Sequence, residues 1–380
     1  MSGVLLSPHT SSPKALGEND AYLTQQLITY IGNKRSLLDF IGTGLRKVQR
    51  RLDKKKLVLF DGFSGSGIVA RFFKQYAELL LVNDLENYSA IINLCYLSNQ
   101  NDRDIAALQG YYEHIHREVS EGGLRKGIIA ALYAPKDEGN IHPKDRVFYT
   151  VRNAMYIDTV RQLIGEIPQA YQHYFIAPLL SEASIHTNTA GVFKGFYKNK
   201  ETGTGQFGGK KQDALWRITG NIALPFPVFS NFNTPVVVYH GDANAIIHTM
   251  PEVDMAYLDP PYNQHPYGSN YFMLNVIADY TYPEHISTVS GIPQNWNRSK
   301  YNKEPCALSA LTALVTHIKA KYVLLSFNSE GFIGIDAMSN MLHKLGNLEV
   351  VETRYNAFRG SRNLHNRAIQ VTEYLYLLEK

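Results

Sequence analysis

The sequence predicts an α/β protein: a parallel sheet covered by helices, closed at its C-terminal end by an antiparallel hairpin. Three observations predict it. Short apolar runs alternate with helical stretches between residues 57 and 97. Strand patterning then returns at residues 236–239, 255–258 and 322–327. The last two apolar runs, 348–354 and 368–378, follow one another without a helix between them. Strand–helix–strand alternation argues for a parallel sheet, while an uninterrupted strand pair argues for a hairpin.

The elements follow in order. Residues 1–20 contain Ser, Pro and Gly without periodicity and are expected to form a flexible tail. A helix is expected over 34–50, opening at Lys34-Arg35. Residues 57–60 form a short strand, a glycine-rich turn follows, and 68–76 is the helix that the turn opens. Residues 79–82 are the next strand, ending at Asn83-Asp84, and 88–97 are helical. From 104 to 187 apolar residues recur at helical spacing. Ile105, Leu108, Tyr112, Ile115 and Val119 make one stripe. Val147, Val151, Met155, Thr159 and Leu163 make another. Residues 188–234 turn rich in Gly, Asn, Lys and Phe and lose periodicity. The expected division is a catalytic domain from 21–100 and 235–380, with 101–234 as a helical and target-recognition insertion.

Composition narrows the function classes. A chain of 380 residues is long enough for one large α/β domain and a smaller insertion. The net charge of +4 permits nucleic-acid binding through a local basic cleft without demanding it. Cys95 and Cys306 have neither metal-ligand spacing nor a disulfide framework, so the expected compartment is a reducing cytoplasm. No apolar run is long enough to span a membrane, and the first residues lack the pattern of a signal peptide.

The most informative stretch is Asp259-Pro260-Pro261-Tyr262, which ends the apolar run 253–258. A strand that stops at two prolines presents a carboxylate, a rigid carbonyl and an aromatic ring at one rim. That trio suits a flat base with an exocyclic amino group. The carboxylate and the carbonyl each accept one amino hydrogen, and the ring stacks on the base. Upstream lie Tyr30-Ile31-Gly32-Asn33-Lys34-Arg35, the run 57–67 with Asp61-Gly62-Phe63-Ser64-Gly65-Ser66-Gly67, then Val82-Asn83-Asp84 and Tyr239-His240-Gly241-Asp242. In this order the set resembles the adenine-specific DNA methyltransferases of the Dam-like D12 class. The resemblance covers most of residues 22–380 and is weakest between about 100 and 235.

That resemblance implies a Rossmann-like methyltransferase sheet and S-adenosylmethionine as cofactor. Taken alone, Gly65-Ser66-Gly67-Ile68-Val69-Ala70 also fits the dinucleotide fingerprint, with Asp84 near the distance of a ribose-binding acid. A nicotinamide or flavin oxidoreductase is the alternative from another class. A pyrophosphate wants bare backbone amides at a helix N-terminus. Asp61 would be an awkward neighbour for it and a good partner for an ammonium. The resemblance implies that Lys34 pairs with the cofactor carboxylate and that Asp84 accepts the ribose hydroxyls. It implies that Asp242 accepts the adenine amino group, that Leu85 and Ala243 sandwich that ring, and that Phe63 lines the pocket. Tyr30, Gly65, Gly67 and Asp259 complete the cofactor set. Asp84 taken alone also fits a helix N-cap, and Gly241-Asp242 also fits an ordinary turn after a strand.

For DNA, the loop from Asn263 to Tyr271 is polar and aromatic and is expected to close over substrate, with His265, Tyr267 and Asn270 as contacts. His265 has no second His or Cys at ligand spacing, so no metal is expected. Lys194, Lys198, Lys200, Lys210, Lys211 and Arg217 are interleaved with Phe196, Tyr197, Phe207 and Trp216. Basic residues neutralise phosphates, and Arg, Lys, Asn or Gln read base edges. Residues 294–303 and Arg359, Arg362 and Arg367 could border the same cleft. The expected activity is N6 methylation of a flipped adenine in duplex DNA, beside a cognate restriction endonuclease. Cytosine N4 is the nearest alternative target, although an Asp at position 259 favours adenine.

Overall fold

A computed structural model describes residues 17–99, 104–210, 212–356 and 370–380. Lys211, Arg359, Arg362 and Arg367 lie outside them, as does the start of the expected tail. Gly17 to Asp20 depart from a flexible tail. Glu18 is buried, and its carboxylate accepts hydrogen bonds from Ser230 Oγ and the Asn231 amide. Helix α1 (Asp20–Thr24) then begins, capped by the Asn19 side chain.

Helix α2 (Leu38–Leu52) starts later than its sequence suggests, because residues 35–37 form a 3-10 turn on the Lys34 carbonyl. Strand β1 (Leu57–Asp61), α3 (Ile68–Lys74), β2 (Ala77–Asp84) and α4 (Asn87–Tyr96) follow the predicted alternation. Helices α5 (Ile105–Glu121), α6 (Ile128–Tyr133), α7 (Val151–Glu166) and α8 (Gln169–Ile185) come next, and the short α9 (Leu215–Thr219) later. The sheet resumes with β3 (Val236–His240), α10 (Ala243–Ile246) and β4 (Val253–Leu258). Helices α11 (Tyr267–Asn270), α12 (Phe272–Asp279) and α13 (Glu304–His317) lead to β5 (Ala320–Asn328) and α14 (Ile335–His343). Strands β6 (Asn347–Asn356) and β7 (Gln370–Glu379) end the chain.

The seven strands lie in the order β3-β2-β1-β4-β5-β7-β6. The first five are mutually parallel, and β7 runs antiparallel to both β5 and β6. The central strands are apolar on both faces, as burial on both sides requires. On β4, Met255 and Tyr257 face one core, while Ala256 and Leu258 face the other. The chain leaves β1 toward β2 and β3, then returns to lay β4 and β5 on the opposite side. The crevice beyond the C-terminal ends of β1 and β4 is therefore the topological switch point, where open α/β sheets bind ligands. Asp61 ends β1 there, and Asp259 directly follows β4.

Helices α5 to α8 share their core with the sheet. Leu108, Ile115, Val160 and Phe175 belong to the same buried cluster as Leu59 and Leu80. The boundary near residue 100 is thus one of topology and does not separate two cores. Residues 188–234 hold little regular structure: a hairpin with Lys198 bridged to Gly205, and α9. No described helix is long and apolar enough to cross a membrane.

Candidate active site

The turn between β1 and α3 needs glycine at two positions. Gly65 has φ +51° and Gly67 has φ +74°, both left-handed. A Cβ on Gly65 would lie 2.8 Å from the Tyr30 ring, and one on Gly67 would lie 2.8 Å from Asn93 Oδ1. Asp84 fastens this turn to the end of β2. Its Oδ2 accepts from the Gly65 amide at 2.7 Å and its Oδ1 from the Glu86 amide at 2.9 Å. Burial raises the Asp84 pKa, and these amide bonds pull it back. The Ser89 hydroxyl adds to the groups that lower it.

One pocket gathers Tyr30, Phe63, Asp84, Leu85, Asp242, Ala243 and Asp259. Asp242 also caps α10, accepting from the Asn244 amide at 3.0 Å, so cap and pocket wall coincide in one residue. Asp61, at the end of β1, is 1% exposed. Neither of its carboxylate oxygens has a hydrogen-bond partner among the described residues, although the Phe63 and Ala70 amides lie near enough to lower its pKa in part. Burial, then the neighbouring Asp259, push that pKa well above the ordinary range. Asp61 adjoins Asp259 but does not itself line the pocket.

The pocket has further walls that the motifs did not reveal. Glu86 is buried there, and it accepts from Asn275 Nδ2 at 2.6 Å and Asn297 Nδ2 at 3.1 Å. Asn297 Nδ2 also donates to the Leu85 carbonyl at 3.0 Å. Asn297, Arg298, Ser299, Tyr301 and Asn302 of the segment 294–303 all line this pocket, while Gln294, Asn295 and Trp296 line a neighbouring open cleft. The one available signal was the apolar Tyr301 among polar neighbours; it is buried and meets Phe63 edge-on at 5.3 Å.

Asp259 Oδ1 forms an ion pair with Lys34 Nζ at 3.0 Å, and the same ammonium meets Glu373 Oε1 at 3.2 Å. Lys34 is 3% exposed and Glu373 is fully buried. Burial alone would lower the lysine pKa, but the two carboxylates outweigh it and hold the pKa well above the ordinary lysine value. Lys34, expected to partner the cofactor carboxylate, has its ammonium set between two protein acids. Desolvation raises Asp259 to about 6, with Lys34 pulling down and Glu373 pushing up. Pro260 carries the next carbonyl. Tyr262 is held by its own carbonyl, which accepts from the Phe332 amide at 2.9 Å. Its ring meets Phe327 edge-on at 6.0 Å, with Lys34 Nζ 5.9 Å from its centroid.

The loop expected to close over DNA is built differently from expectation. Tyr267 stacks on Tyr30 at 4.9 Å, and its hydroxyl donates to the Ile31 carbonyl at 3.0 Å. Asn270 is 4% exposed inside α11 and its carbonyl accepts from the Phe193 amide. Tyr267 is partly buried and lines the pocket, while Asn270 is buried. His265 is exposed. Lys194, Lys198 and Lys210 are exposed as well, Lys198 lying over the Phe196 ring at 5.2 Å. Arg217 is not a free surface cation. Its guanidinium donates to the carbonyls of Ile185, Thr187 and Thr189.

The strand order, the reversed β7 and an acid-lined pocket at the switch point define an α/β enzyme of the Rossmann-like methyltransferase type. The family model described as D12 class N6 adenine-specific DNA methyltransferase matches residues 30–341. Type II methyltransferase M.NlaIII of Neisseria lactamica is 30% identical over 361 residues, covering 93% of this chain and 99% of that protein. Type II methyltransferase M.CviAII of Paramecium bursaria Chlorella virus 1 is 28% identical, covering 92% and 98%. Type II methyltransferase M.FokI of Planomicrobium okeanokoites is 26% identical, and there the match covers 92% of this chain but 52% of that protein. The chain belongs to the D12 class N6 adenine-specific DNA methyltransferase family.

Proposed function

We propose that Asp259, the Pro260 carbonyl and Tyr262 form the reacting centre for N6 methylation of an adenine turned out of duplex DNA, with S-adenosylmethionine as cofactor. The observation that carries this reading is the placement of Asp259 at the switch point, in the lining of a pocket it shares with Asp84, Glu86 and Asp242. S-adenosylmethionine supplies an electrophilic methyl group when bound. We assign its ammonium to the buried carboxylate of Asp61, whose raised pKa a cation would relieve, and its ribose to Asp84, which lines the pocket. Asp242 faces the adenine end, with Leu85 and Ala243 beside it. A pyrophosphate would meet four carboxylates here, which speaks against the oxidoreductase alternative.

An adenine amino group is a poor nucleophile because its lone pair is delocalised into the ring. Hydrogen bonds from both amino hydrogens, to Asp259 and to the Pro260 carbonyl, localise that lone pair. The same carboxylate stabilises the positive charge that develops on nitrogen. Proton loss from the methylated cation is then easy, so Asp259 acts mainly by orientation and charge. Flipping costs a few kcal/mol, part of which stacking on Tyr262 returns. We further propose that the enzyme acts at a short duplex sequence beside a cognate endonuclease. The type II names of its relatives support a restriction-modification role, and Cys95 and Cys306, neither of them in a disulfide, fit a reducing cytoplasm.

Asp259→Ala tests the reading. Loss of the charged acceptor should lower single-turnover methyl transfer by about 3–4 kcal/mol of barrier. Tyr262→Ala should lose roughly 1–3 kcal/mol, the range of a stacking platform. A near-normal rate in Asp259→Ala overturns the assignment.

A further inference from the structure

Glu373 is a buried acid that no motif picked out. It sits on β7, opposite Asn328 of β5. Its Oε1 accepts from Ser326 Oγ at 2.6 Å and meets Lys34 Nζ at 3.2 Å. Its Oε2 has no partner among the described residues. An apolar residue of similar size would fill this strand position without the desolvation penalty of a charge. The acid therefore needs a reason to be there, and the ammonium it shares with Asp259 supplies one.

We propose that Glu373 is a positioning residue for methyl transfer, holding Lys34 between itself and Asp259. This rests on Asp259 as the acceptor of the target amine. Lys34 ties one Asp259 oxygen, Oδ1, which leaves the other for the amine. The charge balance matters as much as the geometry. Two carboxylates share one ammonium, so the trio carries one negative charge in excess. That excess is the complement of the positive charge developing on the amino nitrogen. Without Glu373, Lys34 would neutralise Asp259 alone, and the developing cation would meet no net negative charge. Asp259 is faced by Lys34 from the segment before α2, Glu373 from β7, Asp61 from β1, Tyr257 from β4, Tyr262 from the loop and Tyr267 from α11. Burial raises the pKa of each of these tyrosines, so they stay neutral through the working range. Lys34 and Glu373 are the groups whose removal moves Asp259 in opposite directions.

The test is the pH dependence of single-turnover methyl transfer, using labelled S-adenosylmethionine and long unmethylated genomic DNA. The wild type should show an acid limb near pH 6, set by Asp259. Glu373→Gln is isosteric. It should move that limb down by roughly one unit and lower the plateau rate roughly tenfold, with cofactor affinity changed by less than about threefold. Lys34→Met should move the limb up. Opposite shifts show that both charges act on Asp259, and a lower plateau at unchanged cofactor affinity separates positioning for methyl transfer from a merely structural role. An unmoved limb and a normal plateau in Glu373→Gln overturn the proposal. Should Glu373→Gln fail to fold, an unmoved limb in Lys34→Met overturns it. Asp259→Asn separates the two levels. If it retains activity, the reading of Asp259 itself fails. If it is inactive while the Glu373→Gln limb stays in place, only the role of Glu373 fails.

Discussion

Glu86 is a single carboxylate that works against the fold that holds it. Desolvation, then Asp84, push its pKa up to about 7, against the hydrogen bonds from Asn275 and Asn297. Below about pH 4.5 the group is neutral in both the folded and the unfolded chain, and the folded state has its full advantage. As pH rises toward 7 the unfolded chain ionises first, so stability falls across that window by something on the order of 3 kcal/mol. Glu86→Gln keeps an acceptor for both asparagines and removes the charge. It should be more stable than wild type above pH 7, with the difference vanishing near pH 4.5. Urea unfolding at several pH values measures this, and parallel curves for the two proteins reject it. Single residues also mark what the sequence could show. Asp61, Asp84, Asp242 and Asp259 were legible because each ends a strand or follows one within two residues, where a side chain reaches the rim. Glu86 and Glu373 were not, because their partners come from elements far away in the chain. Lys34 was visible as a cation, but its partner depended on a strand more than three hundred residues away.

The glycine turn is where an element depends most on its exact backbone. Gly67 has φ +74°, and a Cβ there would lie 2.8 Å from Asn93 Oδ1. Asn93 cannot easily retreat, since its Nδ2 donates to Ser64 Oγ at 3.0 Å and to the Ser89 carbonyl at 2.9 Å. Gly67→Ala should therefore combine strain and collision, destabilising the protein by about 1–3 kcal/mol. It should also weaken cofactor binding, because Asp84 is fastened to the same turn through Gly65. Calorimetric melting and cofactor titration measure the two effects, and wild-type values in both would show that the turn tolerates a side chain. Elements themselves were readable, since strands and helices carry their period in the chain. Their order was not. The hairpin of β6 and β7 was visible as two adjacent runs, yet nothing local says that β7 inserts beside β5. That placement is chosen by packing, as Leu375 and Leu377 join the core with Leu324 while Glu373 is carried to Lys34. The start of α2 slipped for a similar reason: Lys34 is held by tertiary ion pairs, and the helix begins only after a 3-10 turn.

Across the whole molecule, a net charge of +4 is too small to bind DNA by itself, so the distribution of charge must do it. Counting basic residues in the sequence over-reads one of them. Arg217 looks like a phosphate contact, but its guanidinium closes the ends of the carbonyl-rich segment 185–189. A sequence cannot distinguish a cation facing solvent from one satisfied by backbone oxygens. The structure leaves Lys194, Lys198 and Lys210 exposed on the aperiodic segment and its hairpin. Because helices α5 to α8 share the sheet's core, this segment is presented by the same rigid packing that holds Asp259. Phosphate contacts made there would be fixed in register with the reacting centre. Replacing Lys194, Lys198 and Lys210 together by Gln should lower affinity for long unmethylated DNA at low salt. Each lost phosphate contact flattens the plot of log affinity against log salt by about 0.9, so the slope should fall by up to roughly 3. Cofactor binding should not change, since no group replaced lines that pocket. Fluorescence anisotropy across a salt series gives the slope. An unaltered slope with unaltered cofactor binding would mean that DNA lies against another face, with residues 294–303 the next segment to vary.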